Sequence, residues 1–564
     1  MAVVADAPLV RPRASTDDIV MRAGIAVVLV LLALFVAAPL WTLLSKSFHH
    51  ADGTWVGLDN YIRYVSTPAL LQSLWNSLKI SVISTAIVVP LAFVYAYALT
   101  RAVLPLRPLF QAVALVPILA PSLLPAMSMI YLFGNQGMLK ELLGGSEIYG
   151  AGGIVASQVF YCFPHVLMIL VTALSMADQR LYEAAEALGA SRWRIFWTVT
   201  LPGARYGLIS AIFVCFTLVL TDFGIAKVIG GQFNVLATDV YKQVIGQQNF
   251  EMGAVVGLIL LAPAVLSFFA DRYAQKRQVA LLSARAVPYA PKRQRGRDAL
   301  LFAFCATVAG LILIIIGIAG WASLIKRWPY NLSLTLDNYD FENFDPTGWD
   351  PLWTSLKMAA WAAAIGAVVV FTAAWLLEKS RGFGLMRGLV QFLATLPMAV
   401  PGLVLGLGYI FFFNDPSNPL NFLYGTLAIL VINTAAHFYT VAHITAVTAL
   451  KQLDAEFEAV SASLKVPLPV TFLRVTVPIC LPAILDIFIY LFANAMTTIS
   501  AVIFLYGADT KLAAIAVISM DEAGFSASAA GMAMCIVAVS LATRLLHLLL
   551  ERTLLARLQR WRRR

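Results

Sequence analysis

Residues Leu181 to Pro202 read LYEAAEALGASRWRIFWTVTLP, a polar and basic stretch set between two long apolar runs. Leu181 to Leu188 is built from strong helix formers, and Gly189 stands where a left-handed residue usually ends a helix. Ser191 is placed to cap a second helix carrying Arg192 and Arg194 beside Trp193, Ile195, Phe196 and Trp197, and Pro202 fits the first turn of the helix that follows. The expected shape is two short helices joined at a glycine, protruding as a knob at a membrane surface.

The chain has 564 residues, 60% of them hydrophobic and 12% charged, more apolar surface than a soluble domain needs. A bilayer crossing takes about 20 mostly apolar residues. Twelve runs qualify: 24–45, 73–99, 109–133, 153–177, 204–226, 252–271, 299–321, 354–377, 389–413, 424–449, 480–504 and 525–548. The formal charge of +10 does not point to nucleic acid, because Lys and Arg gather in alternate connections, as the positive-inside rule requires. Arg11, Arg13, Arg22, Arg101, Arg107, the stretch quoted above, Arg272 to Arg297 and the tail from Arg552 fall on one side. Asp337, Asp340, Glu342, Asp345 and Asp350 fall on the other, with Lys326 and Arg327. Both termini are therefore expected in the cytoplasm, with residues 1–20 as a tail. The first run is too long for a signal-peptide core and is read as retained. Cys162, Cys215, Cys305, Cys480 and Cys535 lie in apolar runs and read as small buried hydrophobes.

The sequence repeats itself. Leu58-Asp59-Asn60-Tyr61 recurs as Leu336-Asp337-Asn338-Tyr339, and Ser77-Leu78-Lys79 as Ser355-Leu356-Lys357, both at an offset of 278. Pro117 and Pro121 return as Pro397 and Pro401, an offset of 280; Asp178, Leu188 and Pro202 return as Asp454, Leu464 and Pro478, an offset of 276. Loop insertions and deletions produce such slippage. The expected fold is an all-α polytopic membrane protein of about 12 transmembrane helices in two parallel six-helix repeats, because an even number of spans per half leaves both halves facing the same way. The expected divisions are a cytoplasmic tail at 1–20, a first repeat at 21–280 with its loop at 181–202, a basic linker at 272–297, and a second repeat at 298–564 with its loop at 457–478. The outward segments 46–72 and 322–353 suit either a soluble docking partner or simple interfacial helices.

Glu183-Ala184-Ala185, Gly189 six residues after the Glu, and Pro202 in a Leu-Pro pair thirteen residues further on resemble the EAA loop of bacterial ABC importer permeases. The second copy, FEAVSASLKVPLPVTFLRVTVP from Phe457 to Pro478, is degenerate: Ala459 stands where Glu183 stands, Ala462 where Glu186 stands and Lys465 where Gly189 stands, while Glu458 is one place early. Lysine adopts a left-handed conformation less readily than glycine, and Pro467 and Pro469 are expected to rework the turn, so the second loop should dock differently or more weakly. The resemblance implies a type I ABC importer permease fold in which Glu183, Ala184, Ala185, Glu186, Gly189, Arg192 and Pro202, with Glu458, Lys465 and Pro478, couple the chain to an ATPase. The alanines permit close helix approach, and Glu183 and Glu186 offer charge-assisted contacts to a basic surface.

No G-x-x-x-x-G-K-[ST] phosphate loop occurs, nor H-E-x-x-H, G-x-S-x-G or a Cys/His cluster with metal spacing, so a membrane enzyme is a poor reading. The resemblance implies instead a transport subunit with no cofactor of its own, in the inner membrane, joined to two cytoplasmic ABC ATPase subunits that hold ATP and magnesium and to an extracytoplasmic solute-binding protein that delivers a small solute. Fused permeases of this kind resemble the 2-aminoethylphosphonate and ferric-iron importers, and LTDFGIAKVIGG followed by FNVLATDVYKQV looks most like the former. Ferric iron comes next, then sulfate, thiamine or polyamine. A twelve-span secondary transporter is the competing class, but its Gly-Asp-Arg-type motif is missing from the connection Thr100 to Pro108. A membrane scaffold without transport is a third.

Asp222 lies 20 residues beyond Pro202, about 30 Å along a helix, and Thr498 lies 20 beyond Pro478. Thr221, Asp222, Thr497, Thr498 and Ser500 are candidates to face the pathway or its outer gate, since intramembrane polar groups tend to line cavities. The alternative is interfacial placement with local hydrogen bonds. His165, His437, His443 and Asn433 are expected to hydrogen-bond between helices rather than to touch solute. Pro117, Pro121, Pro125, Pro397 and Pro401 are expected to kink or interrupt the third and ninth spans.

Overall fold

The apolar runs fold as helices, as hydrocarbon demands of backbone groups that meet no water. The computed structural model describes residues 16–280, 287–380, 384–454 and 456–555. Among these, eight helices are long and apolar enough to cross a membrane unbroken: Asp17–Lys46, Pro68–Arg101, Ala151–Ser175, Arg192–Thr221, Phe250–Gln275, Arg295–Ser323, Asp350–Lys379 and Ser526–Thr553. Four more crossings are helix pairs bent at a break, which brings the total to the expected twelve. The third span breaks between Leu119 and Leu123 at 100° and the ninth between Met398 and Gly402 at 115°, around Pro121 and Pro401 as the prolines predict. The tenth bends by 56° between His437 and Tyr439, and the eleventh by 74° between Ile479 and Leu481. Their counterparts, the fourth and fifth, are unbroken, although Pro164 lies inside the fourth. No proline stands at the tenth-span break, and nothing in the structure explains it.

The sequence repeat has a hydrogen-bonding reason. Asn60 Nδ2 donates to the carbonyl oxygens of Ser47 and His49 at 3.1 and 3.0 Å, and Asn338 Nδ2 to those of Ser323 and Ile325 at 3.1 and 2.7 Å. Tyr61 and Tyr339 add hydroxyl contacts to Ser47 and Ser323 at 2.9 and 2.8 Å. Each Asn-Tyr pair thereby satisfies orphan groups at the end of its half's first helix. Ser77 Oγ accepts from the Leu236 N–H and Ser355 Oγ from the Ala513 N–H, both at 2.8 Å, which fixes the fifth-to-sixth connection of each half against its second span.

The halves also interlock. Tyr409 of the ninth span donates to the Phe35 carbonyl of the first at 2.6 Å, and Phe35 stacks on Phe413. In the other direction Ser128 of the third span donates to the Ile315 carbonyl of the seventh at 2.7 Å, and Phe110 packs edge-on against Phe302. Each half's first span therefore seats on the other half.

Some expected boundaries move. The helix of the first span begins at Thr16, inside the expected tail, and residues 1–15 lie outside the described residues. The basic linker is helical at both ends, since one helix runs Phe250–Ala280 and the next begins at Arg295; residues 281–286 lie outside the described residues. The segments 46–72 and 322–353 have diverged: the first holds a short helix, Asp59–Ser66, and the second a hairpin of Ile325–Arg327 with Asn331–Leu334. The five cysteines are free, and four of them are buried.

Candidate pathway and coupling loops

The helix Gln179–Ala187 starts at Asp178, whose carboxylate accepts the Arg180 N–H at 3.1 Å, and ends at Gly189 with φ +72°. The Ala190 N–H returns to the Ala185 carbonyl at 3.0 Å, closing a Schellman turn. Ser191 then caps the next helix through the Arg194 N–H at 3.3 Å, as expected. That next helix is not short. It continues from Arg192 to Thr221 through a π-helical turn at Phe196–Thr200, so the knob is one free helix leaning on the root of the fifth span. The π turn lets Leu201 donate to the Phe196 carbonyl five residues back, and Pro202, which has no N–H to give, follows directly after it.

The second loop keeps this geometry. Asp454 accepts the Glu456 N–H at 3.0 Å, Lys465 takes φ +57°, and the Val466 N–H returns to the Ser461 carbonyl at 3.0 Å. The expectation that Lys465, Pro467 and Pro469 rework the turn is therefore corrected. Lysine accepts the left-handed conformation at a cost of about 1 kcal/mol because the surrounding hydrogen bonds dictate it. What changes is the cap. Pro467 stands where Ser191 stands and its ring has no hydrogen-bonding group to offer, and the Leu468 N–H instead faces both Asp17 carboxylate oxygens at 3.4 Å, supplied by the first span. The loops present Leu188 and Leu464, 87% and 70% exposed, at matching positions.

Glu183, Ala184, Glu186, Arg192, Pro202, Lys465 and Pro478 are exposed, and Ala185 is partly so. Glu458 lies in the helix Glu456–Ser463, but its side chain lies outside the described residues. Neither acid of the first loop is idle. Gln179 donates to Glu183 at 3.1 Å, and Lys292 of the linker pairs with Glu186 at 2.6 Å. Glu186 raises the Lys292 ammonium above its ordinary pKa, by hydrogen bond and by charge.

At the other end of the fifth and eleventh spans the two halves enclose a cavity of about 460 Å³, lined by Thr221, Asp222, Thr497, Thr498 and Ser500 together. The proline breaks of the third and ninth spans complete it, with His165 and His437. Thr221, Thr497 and Asp222 combine both expectations, since they line the cavity and also bond within their own segments. Thr221 and Thr497 hydroxyls donate to the carbonyls of Thr217 and Ala493 at 2.9 and 3.1 Å. Asp222 accepts from Gln158 Nε2 and from the Ile225 N–H, both at 3.0 Å, and so caps the helix Gly224–Ile229. Of the other candidates, Asn433 bonds between elements, to the Ala501 carbonyl at 2.7 Å, and His165 bonds back to Tyr161 of its own helix. His437 Nδ1 and both His443 ring nitrogens are buried with no hydrogen-bond partner among the described residues, so the expectation of interhelical bonds holds for Asn433 but not for the three histidines.

The cavity contains a reciprocal pair that the sequence reading missed. A Cβ on Gly224 would come within 2.5 Å of Ser122 Oγ, and a Cβ on Gly402 within 2.7 Å of Ser500 Oγ. Ser122 corresponds to Gly402 and Gly224 to Ser500 at the repeat offsets of 280 and 276. Each half therefore places one serine against one glycine, with the two exchanged. Aligning the halves through the proline breaks was the signal that could have found it. Beyond the cavity, Lys227 of the first half pairs with Glu522 of the second at 2.5 Å and lies over the Tyr241 ring, which also packs on Phe223 and Phe504.

The family profile described as binding-protein-dependent transport system inner membrane component matches residues 89–279 and again 366–555. The ferric transport system permease protein FbpB of Actinobacillus pleuropneumoniae is 26% identical over 90% of this chain and 75% of its own length. A 2-aminoethylphosphonate transport system permease protein PhnU, called putative, of Salmonella typhimurium is 26% identical over 44% of this chain and 90% of its own. A solved bacterial ABC transporter that imports the polysaccharide alginate aligns with 46% of this chain and 96% of its own, at 16% identity and a TM-score of 0.40. With one match in each half, the chain belongs to the binding-protein-dependent transport system inner membrane component family, as a two-copy fused permease of an ABC importer.

Proposed function

We propose that this permease carries 2-aminoethylphosphonate inward, driven by two ABC ATPases that dock on the loops 181–202 and 457–478 and hold the ATP and magnesium. The loops lie in the cytoplasm with both termini. A solute-binding protein loads the cavity from the other side of the inner membrane.

The observation that carries the solute is the cavity's two-signed lining. The half-helices Leu123–Phe133 and Gly402–Phe413 begin at its edge, so their positive N-terminal ends suit a phosphonate, while Asp222 supplies a carboxylate for an ammonium. Ferric iron is the second reading, favoured by the ferric permease relatives that align along most of the chain. Against it, no three His, Cys, Asp or Glu among the described residues form a cluster that could hold a metal. The proposed roles are loop contact for Glu183, Ala184, Ala185, Glu186, Gly189, Arg192 and Lys465, with Glu458, Pro202 and Pro478 in the same loops, and solute passage for Thr221, Asp222, Thr497, Thr498 and Ser500.

The test is calorimetry on the cognate binding protein followed by uptake into proteoliposomes holding the whole complex. Retention of 2-aminoethylphosphonate and its ATP-dependent accumulation are expected. Retention of ferric iron alone would replace the solute, and uptake driven by a proton gradient without ATP would overturn the importer mechanism. Replacing Gly189 with Glu is expected to weaken co-purification of the ATPase and abolish uptake.

A further inference from the structure

Arg101, the last residue of the second span, is 2% exposed. Its contacts among the described residues are the carbonyls of Leu174 and Thr100 at 2.8 and 3.3 Å, the Tyr182 hydroxyl at 3.3 Å, and two aromatic faces. Its guanidinium lies 5.4 Å from the Tyr182 ring centre and 4.4 Å from that of Tyr289. A buried cation served by carbonyls and rings is held by geometry, because each contact needs the planar group in one place. Tyr182 belongs to the first loop's helix and Tyr289 to the linker, so one guanidinium joins three segments distant in sequence.

The linker follows that helix along its length. Gln179 N–H donates to the Val287 carbonyl at 2.9 Å, the Ala290 N–H donates to Gln179 Oε1 at 3.2 Å, and the Val287 N–H donates to Asp178 at 3.3 Å. Tyr182 and Tyr289 pack with ring centres 4.6 Å apart, and the Lys292 pair reaches Glu186 near the helix end. Immediately afterwards the Gln294 N–H donates to Asp298 at 2.8 Å and the seventh span begins. The second loop, by contrast, meets the first span through Asp17.

We propose that residues 287–292 are a strap that positions the first loop, with Tyr289 on Arg101 as its grip, so that a displacement of the helix Gln179–Ala187 reaches the seventh span through the linker as well as the fifth span through the chain. The transport consequence rests on the ATPase-driven reading above; the positioning does not. Tyr289 and Lys292 are positioning residues, since neither touches solute.

Three measurements test this. In the purified permease, a nitroxide at Leu188→Cys should gain mobility when Tyr289 is replaced by Ala and keep wild-type mobility when it is replaced by Phe, which retains the ring. Unchanged mobility in Tyr289→Ala overturns the strap, whatever the protein transports. In the full complex, solute imported per ATP hydrolysed should fall several-fold in Tyr289→Ala and recover in Tyr289→Phe. An unchanged ratio overturns the coupling role. A Gln179→Cys, Ala290→Cys pair closed by oxidation should transport as well closed as open; loss of transport on closure would mean that the strap must release, which also overturns the proposal. A wild-type complex without ATP-dependent uptake fails the importer reading, and the label then decides the strap alone.

Discussion

The fifth span runs unbroken from Arg192 to Thr221, whereas its counterpart bends by 74° between Ile479 and Leu481. Both begin with a capped turn, both pass through a π turn five residues long, and both carry a proline two places after it. The difference is a second proline: Pro482 stands where the first half has Tyr206. A single proline after a π turn is absorbed. A second one, four residues on, meets the Pro478 carbonyl and forces the chain apart. Two halves of one ancestral pattern thus reach the same cavity by different routes, and equivalence of position does not mean equivalence of stiffness.

The comparison can be broken most directly at that position. Tyr206→Pro should bend the fifth span and cost about 3 kcal/mol or more, read as a lower melting temperature of the detergent-solubilised permease and lost uptake. Pro482→Tyr should straighten the eleventh span and be tolerated far better. Equal loss in both would show that the break, rather than the second proline, is what the cavity needs. Next comes the ninth span, where a Cβ on Gly406 would lie 2.5 Å from the Ala501 carbonyl oxygen. Gly406→Ala should cost about 1–3 kcal/mol by overpacking, whereas alanine already occupies the corresponding Ala126 in the first half. The melting temperature again decides.

The loops give the third test. Gly189→Lys copies the second loop into the first and should cost about 1 kcal/mol, while Lys465→Gly should gain a similar amount. Retained uptake in Gly189→Lys would show that the turn, not the glycine, is what docks. Below this lies the Lys227–Glu522 pair between the halves, 23% and 51% exposed. Glu522→Gln should cost less than about 1 kcal/mol after solvent screening, and a modest rise in ATP hydrolysis without binding protein is its expected sign. Lys227→Glu with Glu522→Lys should reverse that rise. The smallest effect belongs to the diverged segments at that end. Burial pushes the Asp345 carboxyl up, but donation from Lys511 and Thr347 outweighs it and holds the group below its usual range. A lowered carboxyl adds stability above its unfolded pKa and loses it as pH falls through the folded value. Proteolysis of 330–350 should therefore quicken only in acid below the ordinary carboxylate range, and a Lys511→Met variant should lose that dependence.

Much of this was legible beforehand. The twelve spans, the repeat, the two proline breaks and the left-handed Gly189 follow from local composition, because apolar length, missing N–H groups and turn conformation act over a few residues. The equal spacing of Asp222 and Thr498 beyond two prolines was legible too, but it left pathway and interfacial placement open, and the cavity they share came from the fold. The left-handed Lys465, the cap lent by Asp17 and the exchange of Ser122 and Gly224 for Gly402 and Ser500 did not follow, because the first rests on hydrogen bonds that override preference and the others on contacts between segments far apart in the chain.

By itself the sequence determined that this chain crosses the membrane in two like halves and carries the loop of an ABC importer permease, since burial in lipid and turn chemistry are written residue by residue. Only the tertiary structure decided that each half's first span seats on the other half, that the linker grips the first loop through Arg101 and Tyr289, and that the second loop keeps its turn without its glycine. Those outcomes are contacts between distant segments, and their energies exist only once the segments have been brought together.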